Sequence, residues 1–136
     1  MIVIDADVMV FALVDHTRAG DTARAAMIAD DDWSAPAHMP FEVQRTLHKA
    51  VVARKLPAAD ADTATEALAA MQIEYVSTDA TLLRTVWRLR HNVSVYDAPY
   101  LAVAALEDTT AVTFDARLAK AAEYCGLPAA VRLLTY

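Results

Sequence analysis

Ile2-Val3-Ile4-Asp5-Ala6-Asp7 decides the fold: a short run of β-branched apolar residues ends directly on a carboxylate. Such a run reads as a strand. The same pattern returns in Trp33–Ala35, Ile73–Val76, Ala111–Phe114 and Val131–Leu134, which together with Met1–Ile4 make about five strands. Between them the period changes to that of helices. Val43, Leu47, Ala50 and Val51 form one apolar stripe on a helix over Phe41–Lys55, with Arg45, His48, Lys49 and Lys55 mostly off it. A second helix is expected over Thr63–Met71, where Thr63 and Glu66 have capping-box spacing. A third is expected over Asp79–His91, with Leu82, Leu83, Val86 and either Leu89 or Trp87 inward. A fourth follows Asp97, and a fifth covers Ala116–Tyr124 before Gly126 ends it. Strands alternating with helices imply right-handed crossovers and a mostly parallel sheet covered on both faces, an α/β fold in three layers.

The bulk properties narrow the class. A chain of 136 residues fits one domain, expected to span residues 1–136. Hydrophobic residues make up 57% and mean hydropathy is +0.25, although 30 residues are alanine and bury little area each. That composition excludes a disordered chain, and the lack of any long apolar run excludes a membrane span. The opening run meets Asp5 too early for a signal peptide. Cys125 is the only cysteine, so no internal disulfide forms and a reducing cytoplasm is the expected setting. With two Gly and five Pro there is no flexible linker, and neither a dinucleotide-type nor a P-loop glycine motif occurs. The net charge of −6 argues against a metal-free nucleic-acid binder, which needs a basic face. It agrees with an acidic cluster that divalent cations neutralise.

Four carboxylates stand at element ends. Asp5 closes the first strand and Asp115 closes the fourth, in Ala111-Val112-Thr113-Phe114-Asp115, so both project from the rim where ligands collect in an open parallel sheet. Asp97 opens a helix in Tyr96-Asp97-Ala98-Pro99-Tyr100-Leu101, and Glu42 lies in a first helical turn just after Pro40. Taken singly, Asp97 and Asp115 read as caps and Glu42 as a first-turn glutamate favoured by the helix dipole. Asp5 is harder to explain that way. A carboxylate directly behind a buried strand is costly unless solvated, bonded or metal-bound.

In this order and spacing the chain resembles the PIN-domain ribonucleases, specifically the small VapC-type toxins of toxin–antitoxin pairs. The marks are Ile2-Val3-Ile4-Asp5, Pro40-Phe41-Glu42-Val43, the run from Val95-Tyr96-Asp97 through Ala104, and Val112-Thr113-Phe114-Asp115-Ala116-Arg117-Leu118. They cover nearly the whole chain. The resemblance implies a PIN-like fold, Mg²⁺ or Mn²⁺ at the acids and endonucleolytic hydrolysis of RNA by metal-activated water. It makes Asp5, Glu42, Asp97 and Asp115 the catalytic and metal-binding quartet, with Thr113 in support. Asp7 departs from the family, which has Ser, Thr or Asn there; it is expected to be an outer, fifth acid. Mg²⁺ is hard, prefers oxygen and keeps several waters, so a few carboxylates suffice. Asp5 and Asp97 are expected as direct ligands, and Glu42 and Asp115 as further ligands or as anchors for water. Among basic residues that could meet phosphates (Arg18, Arg24, Arg45, Lys49, Arg84, Arg88, Arg90), Arg117 is favoured by its place beside Asp115. The four histidines have no zinc-type pair spacing. The resemblance also implies a homodimer and a small antitoxin partner, and the apolar surplus of the composition places an expected contact patch around Leu83, Val86 and Trp87 or near Tyr136. The alternatives are a haloacid-dehalogenase-like phosphatase using Asp5 and Asp7, and a non-catalytic PIN-like binding module. A response-regulator receiver is disfavoured because Lys120 lies within a helix and does not end a strand.

Overall fold

The computed structural model describes residues 1–136. Ile2–Ile4 forms β1, and all three of its side chains are buried, as a strand covered on both faces requires. It lies between β2 (Trp33–Pro36) and a later strand, numbered β4 in chain order (Thr110–Thr113); Val3 pairs in parallel with Ser34 on one side and Ala111 on the other. The sheet continues to β3 (Glu74–Val76) beyond β2 and to β5 (Val131–Leu133) beyond β4. Every pairing is parallel, in the order β3-β2-β1-β4-β5. The chain thus winds outward from β1 to β3 and then returns to the other side of β1. That reversal opens a crevice between the carboxyl ends of β1 and β4, the place where such sheets hold ligands.

Seven α-helices complete the layers: α1 (Ala6–Val14), α2 (Arg18–Ala29), α3 (Met39–Val52), α4 (Ala58–Ala70), α5 (Ala80–Leu89), α6 (Ala98–Leu106) and α7 (Ala116–Tyr124). Helix α1 packs on α2, α3 and α4, whereas α6 lies against α5 and across β1, β2 and β4. Val3, Ile4, Val8, Met9, Leu101, Val103 and Val112 are fully buried where these layers meet. Each such side chain contributes roughly 1.5–3 kcal/mol of transfer free energy. No helix is long and apolar enough to cross a membrane.

Several local expectations need correction. Helices α1 and α2 were not anticipated. The run Val8-Met9-Val10-Phe11-Ala12-Leu13-Val14 is apolar all round because α1 is sandwiched, so it shows no amphipathic period. Helix α4 starts at Ala58, behind Pro57, and Thr63 is interior to it. The Thr63 hydroxyl donates back to the Ala59 carbonyl at 3.0 Å, so it caps nothing. On α5 the inward residues are Leu82, Val86 and Leu89; Leu83 and Trp87 are 58% and 62% exposed. Gly126 adopts φ +72° just beyond α7 and ends it as expected. Gly20 has a different reason: a Cβ there would stand 2.0 Å from the Asp15 carbonyl oxygen, where α2 turns back against α1.

Candidate active site

Asp5 leaves β1 and becomes the N-cap of α1. Its Oδ1 accepts the Ala6 N–H at 2.7 Å and its Oδ2 accepts the Thr113 hydroxyl at 2.6 Å. Thr113 is wholly buried at the end of β4, and its oxygen also accepts the Asp115 N–H at 2.9 Å. One hydroxyl therefore ties the acid ending β1 to the acid ending β4. Asp7, in the first turn of α1, accepts the Phe114 N–H on Oδ2 at 3.2 Å, while its Oδ1 is buried without a hydrogen-bond partner. Burial raises the pKa of both aspartates, and the Asp7 charge adds to the effect on Asp5.

The other acids arrive from the opposite wall. Asp115 caps α7 through the Arg117 N–H at 2.8 Å, and the Arg117 guanidinium lies across it with Nε and Nη2 each 3.1 Å from a carboxylate oxygen. This pairing holds the Asp115 carboxyl below the usual range. Asp97 precedes α6, and its Oδ2 accepts the Ser94 hydroxyl at 2.8 Å. Glu42, in the first turn of α3, accepts the hydroxyl of fully buried Tyr100 on Oε1 at 3.0 Å. His38 Nε2 stands 2.6 Å from the same oxygen and 3.1 Å from the Tyr96 carbonyl. The Glu42 carboxylate raises the pKa of His38.

Asp5, Asp7, Glu42, Asp97 and Asp115 line a single cleft of about 290 Å³, with Val10 and Phe11 of α1 as its apolar side. All four acids of the expected quartet are brought to it, Asp7 joins them, and Thr113 lies beneath. The donor set is all hard oxygen, and Asp7 Oδ1 is an unsatisfied buried acceptor, so the residues fit a divalent cation such as Mg²⁺. They do not stand as a ready-made cage, since no three acidic, histidine or cysteine side chains are grouped as metal ligands. Each carboxylate is turned instead toward a donor of its own.

Arg117 lies at the rim with its side chain 91% exposed and joined to Asp115. Arg24 is committed elsewhere, donating to the Ala12 and Asp15 carbonyls at 3.1 and 2.8 Å. Arg90 donates to the Trp87 carbonyl and stacks 4.3 Å from the centroid of its ring. Sequence reasoning missed His38, Ser94 and Tyr100. The available signal was helical spacing: His38 lies four residues before Glu42 and Tyr100 three after Asp97, each one turn away.

The PIN-domain family profile matches residues 2–124. Over 132 residues the chain is 32% identical to Ribonuclease VapC1 of Mycobacterium tuberculosis, covering 97% of this chain and 96% of that protein. Among solved structures, VapC20 of Mycobacterium tuberculosis, described as a Sarcin-Ricin loop cleaving toxin, superposes with a TM-score of 0.69 at 18% identity. The match covers 89% of this chain and 95% of that one. VapBC2 of Rickettsia felis, bound to a DNA fragment from its promoter, gives a TM-score of 0.69 at 14% identity over 99% and 100% of the two chains. FitAcB of Neisseria gonorrhoeae gives 0.68 at 18% identity over 96% of each. With its five-stranded parallel sheet, its acid-lined crevice and these matches along nearly its whole length, the chain belongs to the PIN-domain family, among its VapC-like members.

Proposed function

We propose that this chain is a divalent-metal-dependent endoribonuclease, acting as one nuclease domain across residues 1–136 and serving as the toxin of a toxin–antitoxin pair in the cytoplasm. The observation that carries the reading is the convergence of five carboxylates, from separate elements, on one cleft at the switch point of the sheet. Likeness to Ribonuclease VapC1 supports the choice of RNA. When bound, Mg²⁺ or Mn²⁺ supplies charge neutralisation at the scissile phosphate and activation of water.

The chain's own residues have separable roles in this scheme. Asp5 and Asp97 hold the cation, with Glu42 and Asp115 as further ligands or anchors for water. Thr113 fixes the orientation of Asp5 through its 2.6 Å hydrogen bond. Asp7 contributes charge from the edge of the set. Arg117, exposed and already within reach of Asp115, exchanges that contact for an RNA phosphate as the substrate docks. The phosphatase alternative gains no support, because no lysine lines the cleft, and the intact set of acids gives none to a non-catalytic module.

The likeness to VapBC2 supports a small antitoxin as partner, and an arginine offered to the acidic cleft would suit its charge. We assign a homodimer contact to the apolar face of α5, where Leu83 and Trp87 are exposed. The test of the activity is to incubate pure protein with a defined RNA, with and without Mg²⁺ or Mn²⁺, and to map the ends. Internal cuts that require metal, together with an untouched p-nitrophenyl phosphate control, support the proposal; hydrolysis of the small ester and intact RNA refute it.

A further inference from the structure

Glu42 meets two side chains, His38 and Tyr100, at one of its oxygens. Its Oε1 accepts the Tyr100 hydroxyl at 3.0 Å and stands 2.6 Å from His38 Nε2, which also bonds the Tyr96 carbonyl, while no hydrogen bond reaches Oε2. An oxygen of a carboxylate has two lone pairs; the Tyr100 hydroxyl takes one, and the His38 nitrogen closes off the other side of Oε1. Asp5, by contrast, accepts one donor on each oxygen. The two side chains also belong to one packed unit. Tyr100 is fully buried, and its ring centroid lies 5.5 Å from that of His38. That unit joins the two walls of the cleft: His38 leads into α3 and bonds the Tyr96 carbonyl beside Asp97, and Tyr100 sits one turn along α6.

We propose that His38 and Tyr100 are positioning residues that confine Glu42 to coordination through Oε2 alone, and thereby favour Mg²⁺ or Mn²⁺ over Ca²⁺ at this site. The inference rests on the metal-dependent reading above. Ca²⁺ takes six to eight oxygens and commonly uses both oxygens of a carboxylate, whereas Mg²⁺ demands near-octahedral geometry and takes single oxygens and waters. A carboxylate with one oxygen already committed penalises the larger ion and leaves the smaller one unaffected. Neither positioning residue needs to touch the cation. The pair acts through which face of Glu42 it leaves available.

The experiment compares Mg²⁺ and Ca²⁺ titrations of wild type, Tyr100→Phe, and Tyr100→Phe combined with His38→Ala, read as metal-induced increases in Tm. In each case RNA cleavage in Mg²⁺ is measured alongside. Tyr100→Phe keeps the buried ring and removes only the donor. The ratio of Ca²⁺ to Mg²⁺ midpoints is expected to fall several-fold in Tyr100→Phe and by about tenfold in the double variant, on the order of one charge-assisted hydrogen bond. The kcat should fall while KM for RNA holds, and His38→Gln, which keeps an N–H donor, should retain more of the preference than His38→Ala. An unchanged ratio in variants that melt normally in EDTA overturns the proposal, and if the double variant fails to fold, the ratio in Tyr100→Phe alone decides. Glu42→Gln separates the two levels. Loss of metal response in Glu42→Gln with an unchanged ratio in the positioning variants defeats this inference, as does a wild-type metal response in Glu42→Gln; wild-type protein that gains no Tm from either ion and cleaves equally in EDTA defeats the metal reading beneath it.

Discussion

Replacing Asp5 with asparagine should destroy cleavage and, in EDTA, make the protein more stable. Burial first, and then the charge of Asp7, push the Asp5 carboxyl up to about 8 from an ordinary 3.8. Each pH unit by which a folded-state carboxyl is raised costs about 1.36 kcal/mol when the group is forced to ionise. At pH 7 the folded carboxyl is mostly protonated while the unfolded chain ionises it, which sets a ceiling of about 4 kcal/mol on the cost to the fold. Asparagine removes that cost and can still accept the Ala6 N–H. Its amide nitrogen, however, faces the Thr113 hydroxyl, which loses the acceptor it had at 2.6 Å. A buried hydroxyl left without its acceptor costs about 1–3 kcal/mol, so the net gain should be on the order of 2 kcal/mol. For a chain of this length that is an increase in Tm of about 3–8 °C. The assay is a thermal melt at pH 7.5 in EDTA, repeated at millimolar MgCl₂. In Mg²⁺ the order should reverse, because saturation at a hundred times Kd stabilises the wild type by about 2.7 kcal/mol and the variant by little. A variant that melts below wild type in EDTA, or that gains equally from Mg²⁺, would refute the reasoning.

The same electrostatics fix a pH dependence. Asp5 and Asp7 have raised values, about 8 and about 6, so the metal-free fold binds protons more tightly than the unfolded chain and gains stability as pH falls from 8 to 5. The raised His38 acts in the same direction, since its contribution is present below 6.5 and lost as pH rises through its folded value. A Tm in EDTA that falls steadily on acidification from pH 8 to 5 would contradict this. Thr113→Val removes the hydroxyl linking Asp5 to the Asp115 backbone; it should cost about 1–3 kcal/mol by denaturant titration and lower kcat more than it raises KM. Leu101→Ala, at a fully buried position of α6, should cost about 2–5 kcal/mol, and a loss below 1 kcal/mol would mean that the core is misplaced. Trp87→Arg on the exposed face of α5 should leave Tm within a few degrees but shift the mass in light scattering toward the monomer.

The centre of the sheet was legible because β1 and β4 are buried, whereas the edge strands β3 and β5 are largely exposed. Ile2-Val3-Ile4 is a continuous apolar run with Asp5 directly behind it, and Ala111-Val112-Thr113-Phe114 is nearly so with Asp115 behind it, and these two carboxylates mark the rim. The helices were legible in proportion to their exposure. Helix α3 shows its stripe because one side meets water, whereas α1, apolar through Val8–Val14, offers no contrast from which a period could be read. On α5 the inward residues Leu82, Val86 and Leu89 compete with Leu83 and Trp87 for the same apolar signal, and only packing distinguishes the two faces. The acids themselves could be picked out as residues at element ends. What holds them was legible only where it is local, as in the four-residue spacing of His38 and Glu42; the contact from Tyr100 to Glu42 depends on how the start of α3 meets α6, fifty-eight residues away. That juxtaposition is tertiary.

The most direct measurement is the cleavage of a uniformly labelled RNA by wild type and by Asp97→Asn, each in EDTA and in Mn²⁺, with the product ends mapped and a melt recorded for both proteins. Asp97 makes no capping hydrogen bond to α6 and its carboxylate bonds only Ser94, so the amide should leave the fold intact while removing a hard anionic ligand. Internal cuts are expected from wild type in Mn²⁺ only, and none from the equally folded variant. Undiminished cutting by Asp97→Asn, or wild-type cutting that persists in EDTA, would contradict this.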